Sequence, residues 1–367
     1  MESVEAMKIK IERADCSSRR ILAVSDIHGN LNLFRRLMEQ VNFSAKDELF
    51  LLGDLVERGF QNLDTLHFVM ELGKRENVHI LMGNNDTVWQ DILTDGDFQT
   101  MRYLRSRKGS VLHEMCRTLS IEIGEDTAFP PLREKLRKEF LPEFLWLHNL
   151  PHIIETREFT FVHSGLAGGA LGCQKPWEVM KNDGFLMGDS RFEKYVAVGH
   201  MPVCNLGRNV GRNNPLTDPV RKVIGIDGGS GLKVGGQLNC LIIEPGPPEG
   251  LQERISFASV DEFPSLTVLS SQEESSASVY LSWQDTLEIL ENRGEFAFCR
   301  FQGTELEVPA DSLYFREGRV HSEMATNYRL PVRTGDSVSL IRRYSDRSYC
   351  KKDGVLGWIA NDRLKGF

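Results

Sequence analysis

In the first part of the chain, short apolar segments alternate with amphipathic ones, and each apolar segment ends in a polar residue. The apolar segments are RILAVSD at 20–26, ELFLLGD at 48–54 and VHILMGN at 78–84. Each predicts a buried β-strand followed by a polar loop. Residues 30–41 and 62–75 lie between these strands and carry apolar residues at helical spacing. The alternation indicates βαβ units, which build a parallel sheet with right-handed crossovers.

Later apolar runs continue this pattern and predict further strands of an α/β fold. They lie at 158–164, 195–200, 222–227 and 237–245. Residues 92–150 interrupt this alternation with sequence that is typical of helices, so we expect a helical cap that covers or lines a cleft. On the pattern alone, the strands and helices describe a doubly wound α/β sheet.

The size and charge of the chain narrow the classes of protein it can belong to. Its 367 residues are enough for an enzyme domain and a smaller companion. The net charge of −8 makes a nucleic-acid partner unlikely. No apolar run is long enough for a bilayer, the polar start lacks a secretory segment, and seven cysteines form no C-x-x-C pair. These features predict a cytoplasmic protein with reduced thiols and no membrane contact.

The last hundred residues contain an internal repeat that needs no gap. The spacing is constant, since 350 − 299, 354 − 303 and 364 − 313 all equal 51 for matched Cys, Gly and Leu pairs. A Ser/Glu-rich stretch precedes the repeat and predicts a linker at 266–278. We therefore expect two small all-β barrel-like repeats at 279–315 and 316–367, each with its own core. A fragment ending near residue 265 should then keep its fold and activity.

Potential metal ligands follow the predicted strands, where open α/β sheets place their ligands. These residues are Asp26, His28, Asp54, Asn84, His163 and His200. Carboxylate and amide oxygens combined with imidazoles suit manganese, iron or zinc. One aspartate between two metals can bridge them, and Asp54 is the candidate. Two cations held in this way can activate water and clamp a phosphoryl oxygen.

The motifs that contain these residues resemble those of a known enzyme family. The motifs are SDIHGN at 25–30, GDLVERG at 53–59, GNND at 83–86, FVHSGL at 161–166, VGHMPV at 198–203 and IDGGSG at 226–231. Their order and spacing resemble the bacterial phosphoprotein-phosphatase branch of the calcineurin-like metallophosphoesterases. The resemblance implies a four-layer αββα sandwich, replaces the doubly wound expectation, and assigns residues 1–265 to the catalytic domain.

The same resemblance implies the roles of individual residues. The first metal would be bound by Asp26, His28 and Asp54. The second would be bound by Asp54, Asn84, His163 and His200. Manganese is the first choice of cofactor, with iron, zinc or nickel as alternatives. Arg58 and Asn84 would contact the substrate, and Arg58 would bind its phosphate through a planar guanidinium.

The proton donor of the family pattern is missing from this sequence. The resemblance implies a histidine at position 85 held by an aspartate at position 57, whereas this chain has Asn85 and Glu57. We assign Asn85 and Glu57 to the catalytic set together with Asp54 and Arg58. Substitute donors could be His67, His79 or His113. A second phosphate-binding cation is also expected, for which Lys181 and Arg191 are available without a clear match.

The second C-terminal repeat adds another resemblance. Its KKDGVLGWIANDRL segment at 351–364 resembles a bacterial Src-homology-3-like barrel, while the first copy has Glu307 where the second has Trp358. The resemblance implies that the repeats could bind a protein or peptide.

Three functions follow from these features. The first is a two-metal phosphatase of serine/threonine-phosphatase type that hydrolyses phosphate monoesters, on proteins or small molecules, by metal-hydroxide attack. The second is a dinucleoside polyphosphate hydrolase. The third is a metal-binding scaffold that acts through its C-terminal barrels. A nucleic-acid phosphodiesterase is disfavoured because Pro202 stands where those enzymes place a further histidine.

Overall fold

The computed structural model describes residues 7–16, 18–94, 99–107, 109–247, 250–275 and 277–365. The contacts along the chain divide it into two compact units. The N-terminal unit comprises Met1–Met201, Pro215–Gly231 and Leu238–Val260, and the C-terminal unit comprises Pro202–Asn214, Leu232–Gln237 and Asp261–Phe367. The helices within the described residues are all too short or too polar to span a bilayer.

The N-terminal unit contains two β-sheets. Its strands are β1 (Ile11–Arg13), β2 (Arg20–Val24), β3 (Asp47–Leu51), β4 (Val78–Ile80), β5 (Ile153–Glu155), β6 (Phe159–Val162), β7 (Tyr195–Val198), β8 (Leu216–Asp218), β9 (Val223–Gly225), β10 (Leu238–Ile243) and β11 (Ile255–Val260). One sheet has the order β11-β10-β2-β3-β4 and the other has the order β1-β5-β6-β7-β9-β8. The predicted parallel pairing of β2, β3 and β4 is confirmed. Antiparallel strands complete both sheets, so the single doubly wound sheet suggested by the pattern alone is wrong.

A shared apolar core joins the two sheets. Ala23 and Phe50 of one sheet pack with Phe161 and Ala197 of the other, and the rings of Phe50 and Phe161 stack at a centroid distance of 4.1 Å. Because side chains alternate along a strand, Leu22 points to the opposite face of its sheet. Leu22 is also fully buried. Because both faces of the sheet are covered at this strand, its sequence is a continuous apolar run rather than an alternation of apolar and polar residues.

Helices pack against the sheets and form the region predicted as a cap. They are α1 (Leu31–Gln40), α2 (Asn62–Leu72), α3 (Gln90–Leu93), α4 (Gln99–Ser106), α5 (Val111–Thr118), α6 (Phe129–Glu139), α7 (Leu141–Asn149) and α8 (Pro176–Met180). Helix α1 packs on β10 and β11. Helices α3 to α7 fall within or at the edge of residues 92–150. Ser110 caps α5 by accepting a hydrogen bond from the backbone N–H of Leu112 at 3.2 Å.

The C-terminal unit is built from short strands. They are β12 (Ser265–Val268), β13 (Glu288–Arg293), β14 (Phe296–Phe301), β15 (Thr304–Pro309), β16 (Leu313–Arg316), β17 (Arg319–Ser322), β18 (Ser337–Arg343), β19 (Arg347–Lys352), β20 (Val355–Ala360) and β21 (Leu364–Lys365). They form a sheet of order β20-β19-β18-β12-β21, a sheet of order β13-β14-β15, and the hairpin β16-β17.

The 51-residue repeat of the sequence is also a repeat of strands. β14 and β19 start at 296 and 347, and β15 and β20 start at 304 and 355, so both offsets are 51. The register of β13 shifts between Ile289 and Glu291, and that of β18 shifts between Leu340 and Arg342, again 51 residues apart. The two copies therefore share a strand pattern and a bulge.

The linker predicted at 266–278 is wrong at its start. Leu266 and Val268 belong to β12, which pairs with β18 and β21. Both side chains lie in an apolar core, with exposures of 3% and 1%, because they alternate with polar neighbours on one face of the strand. The polar composition of the residues that follow concealed this strand.

The boundary predicted at residue 265 also differs from the observed division. Residues 202–214 and 232–237 belong to the C-terminal unit. There the backbone N–H of Tyr280 donates to the carbonyl of Arg208 at 2.8 Å, and Lys351 Nζ donates to the carbonyl of Gly235 at 3.1 Å. A fragment ending near residue 265 would leave both segments without these partners, so our expectation that it folds independently does not follow from the structure.

Candidate metal centre

The loops that follow the strands of both sheets bring the predicted ligands together. Asp26 and His28 follow β2, Asp54 follows β3, Asn84 follows β4, His163 follows β6 and His200 follows β7. Two clusters result, Asp26 with His28 and Asp54, and Asp54 with His163 and His200. In each cluster the potential ligand atoms lie within 4.8 Å of one another.

Asp54 lies in both clusters, with one carboxylate oxygen towards each. Its Oδ2 lies 3.6 Å from His28 Nε2, and its Oδ1 lies 3.4 Å from His163 Nε2. Asp26 Oδ1 lies 3.7 Å from the same nitrogen of His28. This is the geometry that a bridging carboxylate between two cations requires.

Asn84 completes the second cluster. One of its amide atoms lies 3.3 Å from His163 Nε2 and 2.8 Å from His200 Nδ1. The amide therefore contacts both histidines of this cluster, so its oxygen could join them in binding a cation.

Each histidine is oriented by a contact on its other ring nitrogen. His163 Nδ1 lies 2.7 Å from the carbonyl of Leu52, and His28 Nδ1 lies 3.4 Å from that of Val56. His200 Nε2 lies 2.7 Å from Asp183 Oδ1. Such contacts hold metal-binding imidazoles and select their tautomer. Asp183 was not identified from the sequence, because it lies outside every motif and 17 residues from its partner.

The site residues adopt backbone conformations that side chains disfavour. The φ angles of Asp26, His28, Asp54 and His200 are 55°, 49°, 52° and 66°. Residues other than glycine rarely occupy this left-handed region, and such strain is concentrated at functional sites. Gly53 has φ 80°, and a Cβ there would lie 2.3 Å from the backbone nitrogen of Gly83. Two loops can therefore approach each other only because both carry glycine.

The electrostatics of the buried site suit divalent cations. Burial, together with the charge of Asp227, raises the pKa of Asp26. Burial would also raise the pKa of Asp54, but the charge of His163 outweighs it and holds that pKa low. Burial and His163 lower the pKa of His200 to about 4, which keeps its imidazole neutral at pH 7. Among the described residues, nothing donates a hydrogen bond to the buried Asp26 Oδ1. Crowded carboxylates with an unpartnered oxygen fit bound metal ions.

Asp86, the last residue of GNND, holds the two metal-binding loops in place. Its Oδ1 accepts hydrogen bonds from the backbone N–H groups of Leu55 at 2.8 Å and Val56 at 3.3 Å. Its Oδ2 accepts one from Gly83 at 2.8 Å. Burial and the charge of Asp54 raise the pKa of Asp86 to about 7. No role for Asp86 was expected from the sequence, although its place in the GNND motif was a signal.

Asn85 lies where the family pattern has its proton donor, and it is hydrogen-bonded to Asp54, a candidate metal ligand. Its backbone N–H donates to Asp54 Oδ1 at 2.8 Å, and its Nδ2 donates to Asp54 Oδ2 at 2.5 Å. Asn85 therefore positions the carboxylate that lies in both clusters.

Glu57 does not hold residue 85, contrary to the role that the family pattern implied. Its Oε1 accepts hydrogen bonds from Ser110 Oγ and from the backbone N–H of Val111, both at 2.9 Å. Its Oε2 accepts one from the Tyr103 hydroxyl. Since glutamate is one methylene longer than aspartate, it reaches helices α4 and α5 and anchors the cap.

The other suggested donors and cations lie in different surroundings. His67 contacts Glu143 at 3.0 Å, and His79 contacts Glu48 at 3.1 Å. His113 lies on α5, where burial lowers its pKa. Lys181 approaches the site through Asp183, at 3.6 Å. Arg191, the other suggested cation, is exposed.

Two curated proteins are similar to this chain in sequence. The chain is 31% identical over 147 residues to a symmetrical bis(5'-nucleosyl)-tetraphosphatase of Vibrio campbellii, covering 39% of this chain and 44% of that protein. It is 33% identical over 149 residues to the protein of the same name from Thioalkalivibrio sulfidiphilus, covering 40% and 45%. The matches thus span less than half the length of these curated relatives.

A crystal structure of a metallophosphoesterase from Sphaerobacter thermophilus is also similar, at 18% identity and a TM-score of 0.39. The similarity covers 66% of this chain and 88% of that one. The family model described as calcineurin-like phosphoesterase matches residues 19–224. That is 224 − 19 + 1 = 206 of 367 residues, and it contains every ligand of both clusters. The chain belongs to the calcineurin-like phosphoesterase family.

Proposed function

We propose that this protein is a two-metal phosphohydrolase for substrates whose leaving group departs without a proton from the protein. Phosphoanhydrides such as dinucleoside polyphosphates come first, followed by acyl and aryl phosphates. The observation that carries the proposal is the side chain of Asn85, whose Nδ2 donates to Asp54 Oδ2 at 2.5 Å in the place of an acid.

Two divalent cations, with manganese as our first choice, would be held by Asp26, His28, Asp54, Asn84, His163 and His200. When bound, they would act as Lewis acids that stabilise the negative charge of the phosphoryl group, and they would lower the pKa of a water so that hydroxide is available to attack. Asp54 would position both cations, because its two oxygens face different clusters.

Arg58 would bind the phosphate that is attacked. Its guanidinium is partly buried, and its Nε has no hydrogen-bond partner within the described part of the chain. A buried donor without a partner is costly. A phosphate would satisfy it, and a planar guanidinium matches two phosphoryl oxygens.

Within the part of the chain that the structure describes, we find no side chain on the leaving-group side that is suited to donate a proton. An amide such as Asn85 donates hydrogen bonds but does not release a proton at neutral pH. The Tyr103 hydroxyl is bonded to Glu57, and burial and the charge of Glu57 raise the pKa of Tyr103. An alkoxide such as that of serine needs a proton to depart, whereas a phosphate or carboxylate leaves as a stable anion.

The curated relatives support an anhydride substrate, since they are named as symmetrical bis(5'-nucleosyl)-tetraphosphatases. Serine/threonine phosphatase activity is the second candidate, because the metal clusters would serve monoesters equally. A metal-binding scaffold without turnover is the third.

We also propose that the C-terminal repeats are Src-homology-3-like modules that bind a protein or peptide. The support is the Gly-Trp-Ile segment of the second copy and the strand pattern repeated after 51 residues. Separately, we propose that the catalytic part has the four-layer αββα arrangement of its family.

The test compares substrates on protein that has been stripped of metal and refilled with Mn²⁺. The panel contains a dinucleoside tetraphosphate, nitrophenyl phosphate and a phosphoserine peptide. We expect kcat/KM for the peptide to be at least about 10²-fold lower than kcat/KM for the other two substrates. This factor is the lower limit of what a general acid usually contributes to the rate. Comparable turnover of the peptide would contradict the proposal. Metal binding without any turnover would favour the scaffold.

A further inference from the structure

The first copy of the C-terminal repeat has a strand at the edge of its sheet. Strand β15 is the last strand in the sheet of order β13-β14-β15. A two-residue turn, Gln302 and Gly303, joins it to β14, and its φ angles of 47° and 83° fit a type I′ turn. Such a turn closes with a hydrogen-bonded pair, which here is Phe301 with Thr304.

The direction of the backbone groups along β15 follows from this turn. In an antiparallel pair every second residue bonds to the neighbouring strand, and the residues between them point their N–H and C=O groups the other way. Since Thr304 bonds to β14, Leu306 and Val308 do so as well. Glu305 and Glu307 therefore present their backbone groups at the outer edge of the sheet. Among the described residues, no backbone group pairs with them there.

In the second copy the equivalent edge is occupied. The residues that match these two glutamates at the constant spacing of 51 are Leu356 and Trp358. The backbone N–H of Leu356 donates to the carbonyl of Gly211 at 3.0 Å. The N–H of Trp358 donates to the carbonyl of Tyr328 at 2.9 Å, and its carbonyl accepts from the N–H of Leu330 at 3.0 Å. The segment from Tyr328 to Leu330 thus pairs in parallel with this edge.

A cavity of about 480 Å³ lies along the unpaired edge of the first copy. Glu305, Leu306 and Glu307 of β15 line it, and so do Thr326 and Asn327. Its volume is within the range of cavities that bind ligands, which is roughly 300–1,000 Å³. Space is therefore present beside β15 at the place where the second copy holds an extended segment.

The charges around this cavity favour a basic occupant. Its lining contains the carboxylates of Glu305, Glu307 and Asp346 and the guanidinium groups of Arg329 and Arg347. Arg347 forms an ion pair with Glu307 at 2.9 Å, while the side chain of Asp346 is largely exposed. Carboxylates thus outnumber guanidinium groups in the lining.

The position of Glu305 points to the same occupant. Glu305 lies opposite Arg300 of β14, and their side chains form an ion pair at 3.0 Å. A basic residue on an added strand would take the matching place on the other side of Glu305. A second copy of β15 would instead bring glutamates next to glutamates, which is unfavourable.

We propose that the outer edge of β15 binds an extended basic peptide, which adds to the sheet as a parallel strand. The peptide would accept a hydrogen bond from the Glu307 N–H and donate one to the Glu307 carbonyl, as Tyr328 and Leu330 do with Trp358 in the second copy. The inference rests on the proposed role of the repeats in binding a protein or peptide, and it assigns that role to one strand.

The experiment measures binding of a labelled peptide to the full-length protein by fluorescence anisotropy. The peptide is MATNYRLPV, the sequence of residues 324–332, which contains the segment that pairs with the second copy. Glu307→Pro removes the outward N–H and should raise Kd at least about 5-fold. The matched control, Glu307→Gln, keeps the N–H and should raise Kd by about 3-fold at most. Pro309 already occupies this strand, so proline is compatible with its edge.

Two altered peptides test the same contact on the unaltered protein, independently of how the variants fold. Methylation of the leucine amide nitrogen removes the donor to the Glu307 carbonyl and should raise Kd about 2- to 10-fold. Glutamate in place of the peptide's arginine should also raise Kd, because the cavity lining is rich in carboxylates. Equal affinity of this last peptide would overturn the basic character of the occupant.

The remaining outcomes separate this site from the proposed role of the repeats. Peptide binding that neither Glu307→Pro nor methylation weakens would overturn strand addition at β15, but it would keep peptide binding by the protein. No binding of any of these peptides would overturn both. Self-association in sedimentation experiments that Glu307→Pro abolishes would identify a second copy of the chain as the occupant and would overturn the proposal.

Discussion

The metal side of the site and its leaving-group side are built by different means. The metal side consists of loops directly after strands, and these loops bring together the six residues that the family pattern suggests as metal ligands. The leaving-group side combines Asn85 and Glu57, which lie in the same loops as Asn84 and Asp54, with Tyr103 of helix α4. The family pattern did not anticipate this combination. Because the side chains of the two sides differ even where they share a loop, we expect that metal binding can be kept while the kind of leaving group changes.

The largest effect should come from the carboxylate that lies in both clusters. We expect Asp54→Asn to lose bound metal and to lower turnover by at least about 10³-fold, since each cation loses a charged ligand. Metal content by mass spectrometry and turnover of nitrophenyl phosphate would measure this. Asp64→Asn, an exposed carboxylate on α2, is the control. A variant that retains both metals and turnover would refute the bridging role.

The next largest effect should come from restoring a proton donor on the leaving-group side. We expect Asn85→His to raise kcat/KM for a phosphoserine peptide about 10-fold or more relative to nitrophenyl phosphate. Glu57 is kept, because shortening it would withdraw its carboxylate from the cap. Asn85→Gln, which restores no acid, is the control. If the histidine leaves the substrate ratio unchanged, the leaving group does not depart past residue 85.

A smaller effect should follow from detaching the cap. We expect Glu57→Ala to lower the free energy of unfolding by about 1–3 kcal/mol, since it removes the acceptor for Ser110, Val111 and Tyr103. Urea denaturation would measure this loss. The metal content should stay unchanged, which would confirm that the two sides are structurally separable. Loss of metal in this variant would show that the cap also shapes the metal centre.

The smallest effect should come from replacing His79, which lies in β4, the strand that precedes Asn84. Burial would lower the pKa of His79, but its hydrogen bonds to Glu12 and Glu48 outweigh burial and raise it above 6.5. A histidine whose pKa is higher in the folded protein than in the unfolded chain stabilises the fold fully below the unfolded pKa of about 6.5. This stabilisation is lost as pH rises through the pKa of the folded protein. We expect His79→Gln to cost less than about 1 kcal/mol at pH 5.5, because Glu12 is partly exposed to screening solvent.

At pH 8.5 the same variant should differ little from the unaltered protein in urea denaturation. Substrate selectivity should be unchanged at both pH values, because His79 belongs to neither side of the site. A larger loss of stability at high pH than at low pH would contradict the sign of this shift.

Much of the metal side could be predicted because its information is local. An apolar run followed by a turn places Asp26, Asp54 and Asn84 at strand ends, and parallel strands bring such ends to one edge. The repeat in the last hundred residues was visible for a similar reason, since matched residues recur at a constant spacing of 51. The division of the strands into two sheets was expected from the family resemblance rather than from the pattern, and the order of the strands was seen only in the structure.

The sequence by itself determined the candidate metal ligands and the candidate shared aspartate, because each depends on residue type at the end of a short segment. The absence of the expected proton donor followed from the family resemblance. Only the tertiary structure decided that Glu57 anchors the cap and that Asp183 orients His200. Those contacts join residues far apart in the chain, and they depend on side-chain length and on how helices dock. Neither property has a period or spacing that can be read along a sequence.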